Sequence, residues 1–125
     1  MIAKLILLSE MEDDGLTDPS GTVITPSGRN LLVAVRGNLS RAGAKVGEIE
    51  VVDGKPRFPW SMDGVAYLLR LDKDDAVRLE LDAKPTFFQK LFRGKTAAAQ
   101  KRAIDTLVKA VNDHDLLDVV QETRL

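Results

Sequence analysis

The segment VAYLLRLDKDDAVRLELD, residues 65–82, constrains the fold more than any other part of the chain. Apolar residues occupy every second position of its first half and again of its second half, with a short polar stretch between them. This alternation is typical of a β-hairpin with one buried face. Pairing of Leu69 with Leu79 would leave a short loop. In that register Arg70 lies diagonal to Glu80 on the opposite face.

Three further segments have the pattern of β-strands. The run Ile2–Leu8 is short, apolar and rich in Ile and Leu, which favours a buried strand near the centre of a sheet. Residues 47–52 alternate Glu with Ile and Val, which predicts a half-buried strand that ends in a turn at Asp53-Gly54. The closing segment 116–123 is rich in Leu and Val and predicts the last strand.

The segment PRFPW, residues 56–60, interrupts this pattern. Pro56 and Pro59 have no amide hydrogen to donate to a neighbouring strand, so proline is normally confined to edge strands and bulges. We therefore predict an edge strand or a loop here, anchored in the core by Phe58 and Trp60.

The first helix is predicted from TPSGRNLLVAVRGNLSRAG, with Thr25 as its N-cap, Pro26 at its first position and Gly43 at its end. Helical spacing places four aliphatic residues on one face: Leu31, Leu32, Val35 and Leu39.

A second helix is predicted to begin after Thr96, which can act as its N-cap, and to end before residues 112–115. Its apolar stripe consists of Ala103, Ile104, Leu107, Val108 and Val111.

The predicted elements run strand, helix, strand, hairpin, helix and strand. Two amphipathic helices on one face of a mainly antiparallel sheet define an α+β fold. The topology that we expect is the ferredoxin-like, split βαβ arrangement with one additional strand. A chain of 125 residues with 44% hydrophobic residues predicts a single domain, residues 1–125.

The sequence lacks most catalytic equipment. It contains no cysteine, one histidine (His114) and no glycine-rich phosphate loop. We interpret His114 as a helix-terminal residue that interacts with the helix dipole or with its flanking aspartates, and the alternative is a lone general base. We expect no catalytic residue, no metal and no cofactor.

An acidic loop and the double-proline segment supply the candidate contacts for a protein partner. The loop EMEDDGLTDPSG carries five acids and several turn-forming residues, and solvation, a basic partner or weak cation binding could each explain it. The predicted partner-binding residues are Glu12, Asp13, Asp14, Asp18, Arg57 and Trp60.

Positive charge is concentrated between Ala83 and Ile104, where six cations occur without an acid. This segment carries +6, so the rest of the chain carries −7 to give the net charge of −1. Three phenylalanines lie among the cations, and we expect them to close the end of the core rather than to stack on bases or enter a membrane. The candidate phosphate or nucleic-acid contacts are Lys90, Arg93, Lys95, Lys101 and Arg102.

These observations favour a non-enzymatic protein that binds another protein, such as an inhibitor or immunity-type protein. The first alternative is binding of single-stranded nucleic acid or a phospholigand through residues 84–102, and the second is a small enzyme or ligand-binding domain. No apolar run approaches the roughly 20 residues of a membrane span. We expect a cytoplasmic protein that does not bind membranes and is a monomer or a homodimer.

Overall fold

A computed structural model describes residues 1–12, 15–25, 28–73, 76–84 and 93–125 of the chain. Within these residues, two helices accompany a large sheet and a separate two-stranded ribbon. The strands are β1 (Ala3–Ser9), β2 (Leu16–Thr17), β3 (Val23–Thr25), β4 (Lys45–Val46), β5 (Glu50–Val52), β6 (Lys55–Met62), β7 (Val65–Lys73), β8 (Val77–Lys84) and β9 (Leu117–Arg124). The helices are α1 (Arg29–Arg41) and α2 (Arg93–Asn112).

The large sheet has the strand order β4-β6-β7-β8-β1-β9, and β5 pairs with β6 beside β4. Each described pair of neighbouring strands is antiparallel, so the predicted α+β fold with a mainly antiparallel sheet is confirmed. The ferredoxin-like topology is not confirmed. β8 and β9 both run antiparallel to β1, which lies between them, so they are parallel to each other, as in a split βαβ unit. Three strands, β4, β5 and β6, lie between α1 and the hairpin, however, instead of the one additional strand that was expected.

The predicted hairpin is formed by β7 and β8, with a register that differs from the expected one. Leu69 faces Leu81 rather than Leu79. Arg70 therefore lies directly opposite Glu80 rather than diagonal to it. Because side chains alternate with a period of two, this shift of two residues leaves every side chain on its predicted face.

The segment PRFPW lies in β6, which has neighbours along both edges, so the prediction of an edge strand or loop is wrong. Pro59 is accommodated because the neighbour on that side is divided into β4 and β5, and the gap lies near Pro59. Gly47, in the gap, donates its N–H to the Pro59 carbonyl at 2.8 Å. A Cβ at Gly47 would lie 2.6 Å from Pro59 Cγ, so this close approach requires glycine.

Two Asp-Gly turns close the hairpins on either side of β6. The predicted turn at Asp53-Gly54 is confirmed, with φ of 54° and 75°. The second, at Asp63-Gly64, has φ of 54° and 77° and joins β6 to β7. Positive φ at both central residues is the geometry of a type I′ turn. The strand before the first turn is shorter than predicted and exposed, with Val51 49% accessible, so the half-buried prediction is wrong.

Helix α1 has the predicted apolar face but a later start. Its first helical residue is Arg29, after Gly28 with φ of 93°, and Thr25 ends β3 instead of capping the helix. Pro26 lies outside the described residues. The helix ends before Gly43, which has φ of 98° and was the predicted stop. All four residues of the predicted stripe are buried: Leu31, Leu32, Val35 and Leu39.

Helix α2 begins at Arg93, three residues earlier than its predicted N-cap Thr96, and ends at Asn112. The predicted stripe faces the core, where Val108 is half-buried and the other members are buried: Ala103, Ile104, Leu107 and Val111. The phenylalanines expected to close the core belong to residues 85–92, outside the described part of the chain.

The inner face of the sheet, defined as the face that packs against the helices, forms one apolar cluster with them. Phe58 and Trp60 are 0% and 3% exposed in this cluster, as their predicted anchoring role requires. Asn38 Nδ2 of α1 donates a hydrogen bond to the Ala110 carbonyl oxygen of α2 at 2.8 Å. Among the described residues, no helix combines the length and the hydropathy needed to cross a membrane.

Candidate functional site

Charged side chains of the sheet collect on its outer face, the face opposite the helices. On β6, Arg57 lies on the outer face and Phe58 on the inner face. On β7, Arg70 lies on the outer face and Leu69 on the inner face. Cross-strand pairing brings Arg57 next to Arg70, and Arg70 next to Glu80. By strand register, the charged side chains of the outer face are Lys4, Lys45, Lys55, Arg57, Arg70, Arg78 and Lys84 together with Glu50, Asp72, Glu80, Asp82 and Asp118.

These outer-face side chains carry a net charge of +2, from seven cations and five carboxylates, within a chain of net charge −1. The sheet therefore concentrates on one surface a positive excess that the composition of the whole chain does not show. Such an excess attracts an anionic partner at distances up to about 8 to 10 Å at physiological salt.

Arg70 is the centre of one ion-pair group on this face. Its Nη2 lies 3.2 Å from Glu80 Oε2 and 3.0 Å from Asp82 Oδ2. Asp82 Oδ1 also lies 3.2 Å from the N-terminal amino group of Met1. Arg70 Nε is buried and has no hydrogen-bond partner among the described residues, where the two carboxylates hold the guanidinium through its terminal nitrogen Nη2.

Asp72 is the centre of a second group. Its Oδ2 accepts hydrogen bonds from Lys55 Nζ at 3.1 Å and from Arg78 Nη2 at 3.2 Å. Partly exposed ion pairs of this kind each contribute about 0 to 1 kcal/mol to stability. The charges of the outer face therefore contribute little to folding compared with the apolar residues of the inner face.

Arg57 differs from Arg70 and Asp72 because, among the described residues, most of its guanidinium nitrogens form no hydrogen bond. It donates one hydrogen bond, from Nε to Glu50 Oε1 at 2.9 Å, and its side chain is 32% exposed. Within the described residues its terminal Nη nitrogens donate no hydrogen bond. It also lies directly opposite Arg70, an arrangement of like charges that is destabilising in a sheet unless other charges offset it.

A cleft of about 240 Å³, here called the arginine cleft, lies at this point of the outer face. The cations Lys55, Arg57 and Arg70 line it, and Val52, which is 38% exposed, adds apolar surface. Of the three carboxylates in its lining, two are already paired with cations, as described above, and the third belongs to the turn between β5 and β6. The cleft therefore offers guanidinium donors beside a small apolar surface.

The predicted acidic contact loop is only partly described. Glu12 is exposed, and Asp13 and Asp14 lie outside the described residues. Asp18 Oδ1 accepts hydrogen bonds from the Ser20 hydroxyl at 2.6 Å and from the backbone N–H groups of Ser20 and Thr22 at 2.9 Å. These bonds, chiefly the one from the Ser20 hydroxyl, lower the pKa of Asp18. Asp18 thus closes the turn between β2 and β3, which accounts for its position without a partner.

Trp60 was predicted as a contact residue together with Arg57, and the structure separates the two. An odd number of positions along β6 separates them, so they lie on opposite faces of the sheet. Trp60 is only 3% exposed, and its ring lies 4.8 Å from that of Tyr67 between ring centres. Trp60 is a core residue, and its burial accounts for its position without a partner.

Tyr67, whose ring contacts that of Trp60, is also buried. Desolvation, followed by the charge of Asp63, raises the pKa of Tyr67 to about 12. Among the described residues, neither Tyr67 Oη nor Trp60 Nε1 has a hydrogen-bond partner, although both atoms are buried. A buried polar atom without a partner costs about 1 to 3 kcal/mol, so these two atoms lower the stability of the core.

The candidate nucleic-acid contacts do not assemble into a described site. Lys90 lies outside the described residues, and Arg93 and Lys95 are described only as backbone in the first turn of α2. Lys101 is exposed, and Arg102 Nε lies 2.9 Å from Asp63 Oδ2 in the β6–β7 turn. Arg102 thus ties α2 to the sheet on the side away from the arginine cleft.

His114 lies in the turn after α2. Its Nδ1 accepts a hydrogen bond from the Leu116 backbone N–H at 3.2 Å, and its carbonyl accepts one from the N–H of Leu117. These contacts give His114 a turn-forming role between α2 and β9. The described residues contain no group of three or more His, Asp or Glu side chains placed to hold a metal ion.

Sequence reasoning missed Lys55 and Arg70 as site residues. The alternation that predicted the hairpin already placed Arg70 on its outer face, and the second Asp-Gly pair, Asp63-Gly64, was a signal for a further hairpin through PRFPW. Together the two signals would have placed Arg57 and Arg70 on one surface.

The fold and the outer face define an α+β protein with a charged sheet surface. In comparisons with known proteins, no family model, curated protein or solved structure matches the chain.

Proposed function

We propose that this chain is a non-enzymatic binding protein that recognises another protein through the outer face of its sheet. The observation that carries the proposal is the arginine cleft, where the terminal nitrogens of Arg57 donate no hydrogen bond to any described residue and lie directly beside Arg70. Arginine is enriched at protein interfaces and among the residues that dominate their binding energy.

The composition of the outer face supports a protein partner. Cations and carboxylates are interspersed across neighbouring strands, which allows charge complementarity to fix one binding orientation and to exclude wrong partners. The first version of the proposal to test is an inhibitor or immunity-type role, in which this face covers a charged site on the partner. The proposal keeps the cytoplasmic location expected from the cysteine-free sequence.

Arg57 and Arg102 form a matched pair for testing the proposal. Each donates from Nε to one carboxylate at 2.9 Å, Arg57 on the outer face and Arg102 on α2. The experiment is affinity capture from the native host with three baits, the unchanged protein, Arg57→Ala and Arg102→Ala, followed by quantitative mass spectrometry.

We expect a stoichiometric protein that the unchanged chain and Arg102→Ala retain and that Arg57→Ala loses. Loss with Arg102→Ala alone, or recovery of nucleic acid in place of protein, would favour the basic segment 84–102 instead. Equal recovery with all three baits would show that the captured protein does not bind the outer face.

A further inference from the structure

We infer that the arginine cleft receives a carboxylate side chain from an acidic segment of the partner. This inference rests on the proposed function and adds the chemistry of the partner to it. Arg57 already holds one carboxylate, since Glu50 Oε1 lies 2.9 Å from its Nε, so the position accommodates the group that the inference requires. The terminal nitrogens of Arg57 remain for a second carboxylate from outside.

The shape of the guanidinium selects this ligand. Its N–H groups form a fixed planar fork that matches the two oxygens of a carboxylate in a bidentate pair. Lys55 and Arg70 line the same cleft without blocking the fork, because their own carboxylate partners lie on neighbouring strands.

The apolar part of the cleft fits the rest of an acidic side chain. Val52 belongs to the lining and is 38% exposed, and a cleft of about 240 Å³ has room for the methylene groups of one Glu or Asp. The excess of cations over carboxylates on the outer face extends the attraction beyond this single group. An acidic polypeptide therefore fits the face better than an isolated carboxylate does.

A change at Glu50 distinguishes the inference from a purely structural role of the Arg57–Glu50 pair. It lies in the three-residue strand β5 and competes for Arg57 with any incoming carboxylate. Replacing Glu50 by Gln removes that competitor while keeping the size of the side chain. A purely structural role for the Arg57–Glu50 pair would make Glu50→Gln neutral or harmful, whereas the inference requires it to strengthen binding.

The test is a titration of the full chain with hexaglutamate, monitored through the backbone amide NMR signals. The comparison probes are hexalysine and a single-stranded oligothymidine that has the same charge as hexaglutamate. We expect hexaglutamate to shift the signals of Val52, Arg57 and Leu71. Arg57→Ala should weaken binding about tenfold or more, since a hydrogen bond to a charged group is lost. Glu50→Gln should strengthen it about two- to fivefold, the range of one exposed ion pair.

Arg102→Ala should leave hexaglutamate binding unchanged. Arg57→Lys, which keeps the charge and loses the fork, should bind with an intermediate affinity and serves if Arg57→Ala does not fold. The inference is wrong if hexaglutamate leaves the cleft signals unmoved, if Glu50→Gln weakens binding, or if oligothymidine binds the cleft as tightly with the same dependence on Arg57. If capture depends on Arg57 while hexaglutamate fails, the proposed function stands without this inference. If hexaglutamate binds while capture does not depend on Arg57, the cleft binds carboxylates, but the proposed function and the acidic partner segment inferred from it are both wrong.

Discussion

The two faces of one sheet have opposite compositions and opposite roles. On the inner face Phe58, Leu69 and Leu81 are buried against the helices, whereas their chain neighbours Arg57 and Arg70 lie partly exposed on the outer face. Burial of large apolar side chains supplies most of the stability of a domain, and exposed ion pairs supply little. The residues that stabilise the fold and those of the proposed binding surface are therefore alternate residues of the same strands, and we expect that each set can be changed with little effect on the other.

The sharpest test of this division compares neighbours on β6. Phe58→Ala removes a fully buried ring and should lower the free energy of unfolding by about 3 to 5 kcal/mol. Arg57→Ala removes one partly exposed ion pair and should lower it by about 0.2 to 1 kcal/mol. Urea denaturation of both variants measures the two values. Similar losses at the two positions would mean that the outer face also stabilises the fold.

A second test concerns how α1 meets the inner face. Gly28 has φ of 93°, and a Cβ there would lie 2.1 Å from Leu71 Cδ2. Gly28→Ala should therefore lower the free energy of unfolding by about 1 to 3 kcal/mol beyond the backbone strain. Gly43→Ala is the control, because its φ of 98° is similar and no atom lies within 4 Å of the added Cβ. Equal losses in thermal denaturation would show that the contact with Leu71 has no energetic weight.

The smallest predicted effect appears only at high pH. An unfolded tyrosine loses its proton near pH 10, whereas burial raises the pKa of Tyr67 to about 12. Between these values the folded state binds more protons than the unfolded state, so stability should fall as pH rises from 10 to 12. Urea midpoints at pH 9 and 11 should decrease more for the unchanged protein than for Tyr67→Phe. Parallel decreases would place the Tyr67 hydroxyl in contact with water.

The sequence was a good guide wherever the signal was local. The stripe of α1 and the hairpin follow from periodicity, because burial of one face repeats at the period of the element, and the interior position of β1 follows from its short run of Ile and Leu. The prolines of β6 misled the prediction because tolerance of Pro59 depends on a break in a neighbouring strand, a property that β6 itself does not encode.

The candidate site was harder to predict because it is assembled across strands. Arg57 was identified by its position in an unusual segment, whereas its relation to Arg70 depends on the pairing of β6 with β7. A difference of two positions in the register of the hairpin changed Arg70 from a diagonal to a direct neighbour of Glu80. Turn geometry and packing determine such registers, and they are weakly encoded in any single strand.

The most direct test of the outer face as the binding surface observes arginine side chains on both sides of the molecule at once. The measurement is the ¹⁵N–¹H NMR spectrum of the arginine Nε–H groups before and after addition of the captured partner. We expect the signals of Arg57 and Arg70 to shift, and those of Arg102 and Arg124, which pair with acids on the helix side at 2.9 and 2.6 Å, to stay in place. Shifts confined to Arg102 and Arg124 would contradict the account and place the partner on the helices.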